Sequence, residues 1–181
     1  MITVAPDEHV RNCELELQGI GLQRNGVASV AVSGSDNPGY AGDLTTRQAW
    51  DLLAGNRAAV LVDVRSRPEW GFVGTPDLSS IGNRSVLLAW QNWSMGPQGA
   101  VMTPNAAFVD ELLATGIDKN APTIFICRSG ARSKSAAIAA TRAGFSRAYN
   151  LAGGFEGAHD ARRHRGHVDG WKASDLPWTQ D

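Results

Sequence analysis

A stretch of seven residues has the types and the spacing of an anion-binding loop built around a nucleophile: Cys127, Arg128, Ser129, Gly130, Ala131, Arg132 and Ser133. It follows an apolar run at residues 123–126 that predicts a buried strand, and it precedes an alanine-rich stretch at residues 135–143 that predicts a helix. Backbone amides in such a strand-to-helix turn point at an anion, and the helix dipole favours negative charge there. The pattern therefore predicts a cysteine thiolate at the positive end of a helix, beside a bound anion.

The charge on the Cys127 sulfur depends on the loop around it. A free cysteine, with a pKa of about 8.5, is mostly protonated at neutral pH. A helix dipole contributes only about 0.3 to 1 kcal/mol, so the loop amides and the guanidinium groups of Arg128 and Arg132 must supply the rest. We expect a reactive Cys127 whose thiolate is open to a substrate anion. The other interpretation is an inert cysteine at the buried end of a strand.

Around this loop, predicted helices and predicted strands alternate. The predicted helices lie at residues 46–54, where residues 45–48 have the form of a capping box, and at residues 105–114 and 135–143. The predicted strands lie at residues 58–64, 85–89, 123–126 and 147–151. This order favours an α/β fold with a central, mostly parallel sheet of about five strands and helices on both faces. Function then belongs at the carboxyl ends of the strands, where Cys127 lies.

Three further motifs accompany the cysteine loop. Asp63-Val64-Arg65 is followed by Glu69-Trp70, a glycine pair occurs in Leu151-Ala152-Gly153-Gly154, and the tail at residues 170–178 is rich in tryptophan. The chain resembles the rhodanese-like sulfurtransferases, in particular the single-domain type, from about residue 43 to the end. The resemblance rests on these four motifs, which occur in the order that is typical of that family. The resemblance implies the rhodanese-like fold.

The resemblance also implies a transferase activity, that of a thiosulfate sulfurtransferase. Cys127 would take sulfane sulfur from thiosulfate or a similar small anionic donor, carry it as a persulfide, and pass it to cyanide, a thiol or a protein acceptor. The backbone amides of residues 128–133 would cradle the persulfide, and Arg128 and Arg132 would hold the sulfonate of the donor. No cofactor and no metal is expected, because the covalent cysteine persulfide is itself the intermediate.

Two other functions remain open for the same loop. The first is a persulfide carrier or regulatory binding module that delivers sulfur to a protein partner. The second is a phosphatase or arsenate reductase, as in relatives of the family. The loop from Cys127 to Arg132 contains six residues, as in the sulfurtransferases, and the phosphatase-type loop has one residue more, so this second function is disfavoured.

Asp63, Arg65 and Glu69 lie just after a predicted strand and form a charged trio. We expect them mainly to support the fold, as an ion pair and a helix cap, and the alternative is direct substrate binding. The segment at residues 90–97 is predicted to be a long loop whose tryptophans could shape a cleft for an acceptor.

The rest of the chain limits the classes of partner. With 181 residues and a net charge of −1, it predicts no nucleic-acid partner, and no apolar stretch approaches the length of a membrane span. The start of the chain lacks the apolar core of a secretory signal, so we expect a reducing, cytoplasmic location and no structural disulfide. Residues 1–42 are predicted to be a disordered extension and residues 43–181 the folded domain. In the extension, Cys13 is either a bystander or a resolving thiol for the Cys127 persulfide.

A basic segment follows the glycine pair. His159, His164 and His167 alternate with arginines there, and their spacing does not fit a zinc pair on a helix, so we expect a solvated basic turn rather than a metal site. Residues 155–170 either cover the cysteine as a lid or have no part in the site.

Overall fold

The computed structural model describes residues 39–180. Its strands, in chain order, are β1 (Gly42–Leu44), β2 (Val60–Asp63), β3 (Thr75–Pro76), β4 (Ser85–Leu87), β5 (Gln91–Gly96), β6 (Gly99–Pro104), β7 (Thr123–Ile126), β8 (Ala148–Leu151) and β9 (Trp178–Thr179). Its α-helices are α1 (Thr46–Gly55), α2 (Arg67–Val73), α3 (Phe108–Ala114), α4 (Ala131–Arg142) and α5 (Gly170–Ala173). A single 3₁₀ turn at Ser79–Ile81 completes this part of the chain.

A central sheet of five strands organises the fold. Its order is β1-β8-β7-β2-β4, and every neighbouring pair is parallel. β7, which leads into the cysteine loop, is the middle strand, and all four of its residues are buried. The predicted parallel α/β sheet of about five strands is therefore confirmed.

Helices cover both faces of this sheet. On one face, Val62 and Phe125 belong to an apolar cluster that also includes residues of α3 and α4. Leu61 and Ile124 alternate with them, point to the other face, and are fully buried as well. Burial of both sets of side chains explains why the strands are apolar without alternation, as is typical of parallel sheets.

The local boundaries follow from capping and turn chemistry. α1 begins with the predicted capping box, because Thr45 and Gln48 exchange hydrogen bonds between side chain and backbone. The helix predicted at residues 105–114 begins only at Phe108, since the Asn105 side chain accepts a hydrogen bond from the Ala107 amide in a turn before it. α4 begins at Ala131, four residues earlier than predicted, because Gly130 takes a left-handed conformation with φ of 100° at its start.

The folded domain begins slightly before the predicted boundary at residue 43. Gly42 already pairs with Tyr149 in the sheet, and Tyr40 is buried in the core. Tyr40 and Gly42, just before the predicted boundary, thus contribute to the core and to the sheet. The remainder of the predicted extension, with Cys13, lies outside the described residues.

The predicted loop at residues 90–97 is instead part of a β-hairpin. β5 and β6 pair antiparallel, with Trp93 opposite Met102 and Gly96 opposite Gly99 at the tip. The Gly-Pro-Gln-Gly sequence at residues 96–99 provides the turn, where Gly99 has a φ of 111°. The sequence prediction was wrong here because it took the glycine and proline as signs of a long loop rather than of a tight turn.

Candidate active site

Cys127 lies where the middle strand ends and α4 begins. Its Sγ accepts a hydrogen bond from the Gly130 amide at 3.2 Å and lies 3.2 Å from the Ser133 hydroxyl oxygen. The residue is only 1% exposed, yet it lines a pocket of about 490 Å³. The sulfur therefore lies at the floor of a pocket rather than on the surface of the protein.

The segment that contains the glycine pair after β8 packs against the backbone of the cysteine loop. The carbonyl oxygens of Cys127 and Arg128 accept hydrogen bonds from the amides of Phe155 at 2.7 Å and Glu156 at 2.9 Å. Gly154 has a φ of 63°, and a Cβ atom there would lie 2.5 Å from the Cys127 carbonyl oxygen. Only glycine therefore allows the two segments to approach so closely.

Arg132 of the loop is already paired. Its guanidinium donates two hydrogen bonds to the Glu69 carboxylate, at 2.8 Å and 2.6 Å, and both side chains are 18% exposed. Burial opposes ionisation of Glu69, but the hydrogen bonds from Arg132 and Ser66 outweigh it and lower the pKa of Glu69 to about 2. Burial likewise opposes the charge on Arg132, and the Glu69 carboxylate outweighs it and raises the pKa of Arg132. The pair is thus fully ionised at neutral pH.

Asp63 and Arg65 form a separate ion pair beneath the pocket. Both side chains are fully buried, and Nη2 of Arg65 lies 2.5 Å from Oδ2 of Asp63 and 2.7 Å from the Gly74 carbonyl oxygen. The guanidinium also lies 4.0 Å from the centre of the Phe155 ring. These contacts join the end of β2 to the end of α2 and agree with the expected support of the fold.

Glu69 does more than cap its helix. It accepts hydrogen bonds from the Ser66 amide and hydroxyl as the predicted cap, and it also lines the pocket through its pair with Arg132. The predicted trio therefore separates into a buried pair, Asp63 and Arg65, and a third residue at the site itself.

The pocket gathers side chains from distant parts of the sequence. The predicted residues that line it are Cys127, Arg128, Ser129, Ala131, Arg132, Glu69 and Trp93. Gly130 and Ser133 do not line the pocket, but the Gly130 amide and the Ser133 hydroxyl each lie 3.2 Å from Sγ. Of the other lining residues, Gln91, Glu156 and Arg165 lie in segments that the sequence offered for the site without naming them individually, and the sequence analysis missed Val73 and Met102.

The β5–β6 hairpin forms an apolar wall of the pocket. The register places Trp93 directly opposite Met102, and the twofold alternation of a strand puts Gln91 and Met95 on the same face. Gln91, Trp93 and Met102 line the pocket, while Met95, farther along the ribbon, is 81% exposed. No local signal marked Met102, because its place at the site depends on strand pairing.

Residues 155–170 contribute a polar wall. Glu156 and Arg165 both line the pocket, and Arg165 donates a hydrogen bond to the Gly157 carbonyl oxygen. Two residues of this segment therefore line the pocket, and its role as a lid over the cysteine stays a prediction. Among residues 39–180, no cluster of three or more histidine, cysteine or acidic side chains has the geometry of a metal site.

The other tryptophans near the site pack in the core. Trp171 is fully buried, contacts Trp50, and donates its indole N–H to the Pro177 carbonyl oxygen. Trp90 packs edge-to-face on Phe108.

Across the described part of the chain, no helix has both the length and the apolar character needed to cross a membrane.

Comparison with known proteins gives consistent matches. A model of the rhodanese-like domain matches residues 45–161. The crystal structure of Rv0390 from M. tuberculosis is 50% identical in sequence, has a TM-score of 0.68, and covers 78% of this chain and 99% of its own. The uncharacterised protein RC0915 of Rickettsia conorii is 37% identical over 75% of this chain and 95% of its own length. The thiosulfate sulfurtransferase GlpE of Actinobacillus pleuropneumoniae is 27% identical over 75% of this chain and 90% of its own length.

Proposed function

This chain belongs to the rhodanese-like domain family, and from that premise we propose that it is a sulfurtransferase that uses thiosulfate or a similar donor and carries sulfur as a persulfide on Cys127. One observation supports the proposal above the others. The Cys127 sulfur accepts a hydrogen bond from the Gly130 amide and lies 3.2 Å from the Ser133 hydroxyl oxygen, in a pocket that Arg128 also lines.

The reaction has two steps. The Cys127 thiolate attacks the outer sulfur of thiosulfate, the bond between the two sulfurs of thiosulfate breaks, and sulfite leaves with the electron pair. A nucleophilic acceptor, such as cyanide or a thiolate, then attacks the outer sulfur of the persulfide, and the electron pair of the S–S bond returns to Sγ. Neither step takes a proton from the donor, because the thiolate form of Cys127 is the nucleophile and sulfite leaves as a stable anion.

The two loop arginines have different roles in this proposal. Arg132 is neutralised by Glu69, so it orders the loop and contributes little net charge to the donor. Arg128 is exposed at the pocket, and within residues 39–180 no carboxylate pairs with it. Arg128 and the loop amides therefore hold the anionic end of the donor.

Intact mass spectrometry tests the covalent step. Incubation of the full chain with thiosulfate is expected to add about 32 Da, the mass of one sulfur atom, and cyanide is expected to remove it and yield thiocyanate. Cys127→Ala should abolish both results, while the matched control Cys13→Ala should keep them. Persulfide formation that persists in Cys127→Ala would contradict the proposal.

A second candidate function is a persulfide carrier for a protein partner. The wall made by Trp93 and Met102, which continues to the exposed Met95, presents more apolar surface than a small inorganic anion requires. Slow turnover with cyanide, together with rapid transfer of the sulfur to one protein acceptor, would favour the carrier. We place either activity in the reducing cytoplasm, where acceptor thiols stay reduced.

A further inference from the structure

A buried chain of polar side chains lies beneath the Cys127 sulfur. The Ser133 hydroxyl lies 3.2 Å from Sγ and 2.6 Å from Oδ1 of Asn150. Nδ2 of Asn150 lies 2.9 Å from Oδ1 of Asp43, which also accepts a hydrogen bond from the Tyr40 hydroxyl at 2.7 Å. Ser133, Asn150 and Tyr40 are all buried. The pocket walls described above do not include Asn150, Asp43 or Tyr40.

The Asp43 carboxylate determines which way the Asn150 amide points. An ionised carboxylate only accepts hydrogen bonds, so the NH₂ group of Asn150 must face Asp43. The amide oxygen must then face Ser133. Because an amide oxygen only accepts, the proton between Asn150 and Ser133 belongs to the Ser133 hydroxyl.

Ser133 has one hydroxyl proton and more than one acceptor for it. The Asn150 oxygen at 2.6 Å is much closer than Sγ of Cys127 or the Gly130 carbonyl oxygen, both at 3.2 Å. For Ser133 to donate to a thiolate, its proton must leave Asn150. Two oxygen atoms would then face each other at 2.6 Å without a proton between them, which costs energy in a buried site.

We propose that Asn150 is a positioning residue that keeps the Ser133 proton away from Cys127 and so favours the states in which Sγ itself carries no charge. Those states are the neutral thiol and, resting on the proposed function, the persulfide, whose negative charge lies on the outer sulfur. The site thereby favours the sulfur-loaded state over the empty thiolate. The part of the proposal that concerns the thiol depends only on the geometry around Ser133.

Other charges near the cluster stay unchanged when Asn150 is replaced. The charged side chains around Cys127 and the polar chain, from the elements packed against them, are Asp43, Asp63, Arg65, Glu69, Arg128, Arg132, Lys134, Glu156 and Arg165. A change in the ionisation of Cys127 on replacement of Asn150 therefore does not come from loss of a charge.

The pH dependence of alkylation tests the proposal. Iodoacetamide modification of Cys127 is followed by mass spectrometry of its peptide, so that Cys13 does not interfere. In Asn150→Leu the Ser133 proton is free to donate to the thiolate, and the pH midpoint of alkylation is expected to fall by about one unit, a tenfold gain in thiolate at low pH. No shift, or an upward shift, would overturn the proposal.

A double-mutant cycle separates transmission through Ser133 from a direct effect. In the Ser133→Ala background, Asn150→Leu is expected to leave the midpoint unchanged, because the hydroxyl that relays the effect is gone. An equal downward shift in both backgrounds would show that Asn150 acts without Ser133 and would contradict the inference. Thermal unfolding of each variant identifies any loss of the fold.

Asp43→Asn gives a second route that keeps the side-chain volume. It frees the Asn150 amide to turn its NH₂ group toward Ser133, so the midpoint should again fall, and fall further with Ser133 present than in Ser133→Ala. The loss of the Asp43 charge acts directly on Cys127 in both backgrounds, so subtracting the midpoint shift in Ser133→Ala from the shift with Ser133 present removes this direct effect. Equal shifts in the two backgrounds would contradict the inference. Treatment with thiosulfate is a separate arm: a midpoint shift without any added sulfur would disprove the proposed function but not the role of Asn150.

Discussion

At the scale of single residues, the central contrast is between the two ion pairs near Cys127. Asp63 and Arg65 are fully buried and tie the end of β2 to the end of α2, while Glu69 and Arg132 are partly exposed at the pocket. An unpaired charge in the core costs free energy, so we expect the loss of either partner of the Asp63–Arg65 pair to lower the stability of the fold. The second pair also sets the net charge that an incoming anion meets.

Asp63→Asn tests the buried pair. The change leaves the Arg65 guanidinium in the core without its carboxylate, and we expect the free energy of unfolding to fall by about 3 to 5 kcal/mol. Urea unfolding measures this free energy for the wild type and for the variant. The matched control is Asp51→Asn, which breaks the exposed pair with Arg47 and should cost less than about 1 kcal/mol. Unchanged stability with abolished turnover would instead assign Asp63 a direct role in chemistry.

Glu69→Gln tests the pair at the pocket. In the folded protein the pKa of Glu69 is about 2, below its ordinary value of 4.5, so its ionisation stabilises the fold above pH 4.5 and this contribution is lost as the pH falls toward 2. At pH 7 we expect the variant to be less stable by about 1 to 3 kcal/mol, given the partial exposure.

Urea unfolding at pH 7, 4 and 2.5 follows this contribution. The difference between the wild type and Glu69→Gln should shrink as the pH falls. A difference that stays constant over this range would mean that the ionised carboxylate is not what stabilises the pair.

At the scale of elements, the site depends on a close contact between two turns. The cysteine loop after β7 and the glycine pair after β8 follow neighbouring parallel strands, so both emerge at the same edge of the sheet. The backbone of residues 155–157 then binds the loop carbonyls. The rigidity of the loop therefore comes as much from the neighbouring strand as from its own sequence.

Gly154→Ala tests this contact. The added methyl group would meet the Cys127 carbonyl oxygen at 2.5 Å, so the loop must shift, and the positive φ adds backbone strain. We expect a loss of about 1 to 3 kcal/mol in stability and at least a tenfold loss in the rate of persulfide formation.

Gly71→Ala is the matched control, because no atom lies within 4 Å of a Cβ there and the residue is inside α2. It should leave the rate unchanged and the stability equal or slightly higher. Stopped-flow measurement of sulfite release and thermal unfolding give the two values. A fully active Gly154→Ala would show that the loop tolerates movement.

At the scale of the whole molecule, three parts form the pocket: the carboxyl end of the central sheet, the hairpin, and the segment after the glycine pair. The hairpin pairs only with itself within residues 39–180, yet its Trp93 and Met102 line the same pocket as Cys127. An apolar wall opposite a cationic loop suits a substrate with an anionic and an apolar end. We therefore expect acceptor choice to depend on the hairpin, and sulfur capture to depend on the loop.

Trp93→Ala tests this division. We expect at least a fivefold rise in KM for an apolar thiol acceptor, with the rate of persulfide formation from thiosulfate unchanged. Val101→Ala is the control, because Val101 lies on the opposite face of the same hairpin with similar exposure, 45% against 48% for Trp93. Equal effects of the two changes would indicate general loosening of the hairpin instead.

The sequence by itself was sufficient for the parallel sheet and the family, and it predicts Cys127 as the nucleophile. Residues 123–133 carry local signals: three consecutive apolar residues after Thr123 predict a buried strand, and a cysteine, a glycine and a helix start close together predict an anion-binding turn. Hydrophobic pattern and turn chemistry are short-range signals, so they could be interpreted without coordinates.

Only the tertiary structure decided which partners those residues meet. Arg132 pairs with a glutamate 63 positions away, Met102 reaches the pocket through strand pairing, and Asn150 of β8 contacts Ser133 of α4. Such contacts depend on how elements pack, and many partners satisfy the same local pattern. For this reason the sequence predicts a reactive Cys127, while the packing determined which charged side chains, pocket walls and hydrogen-bond donors surround its sulfur.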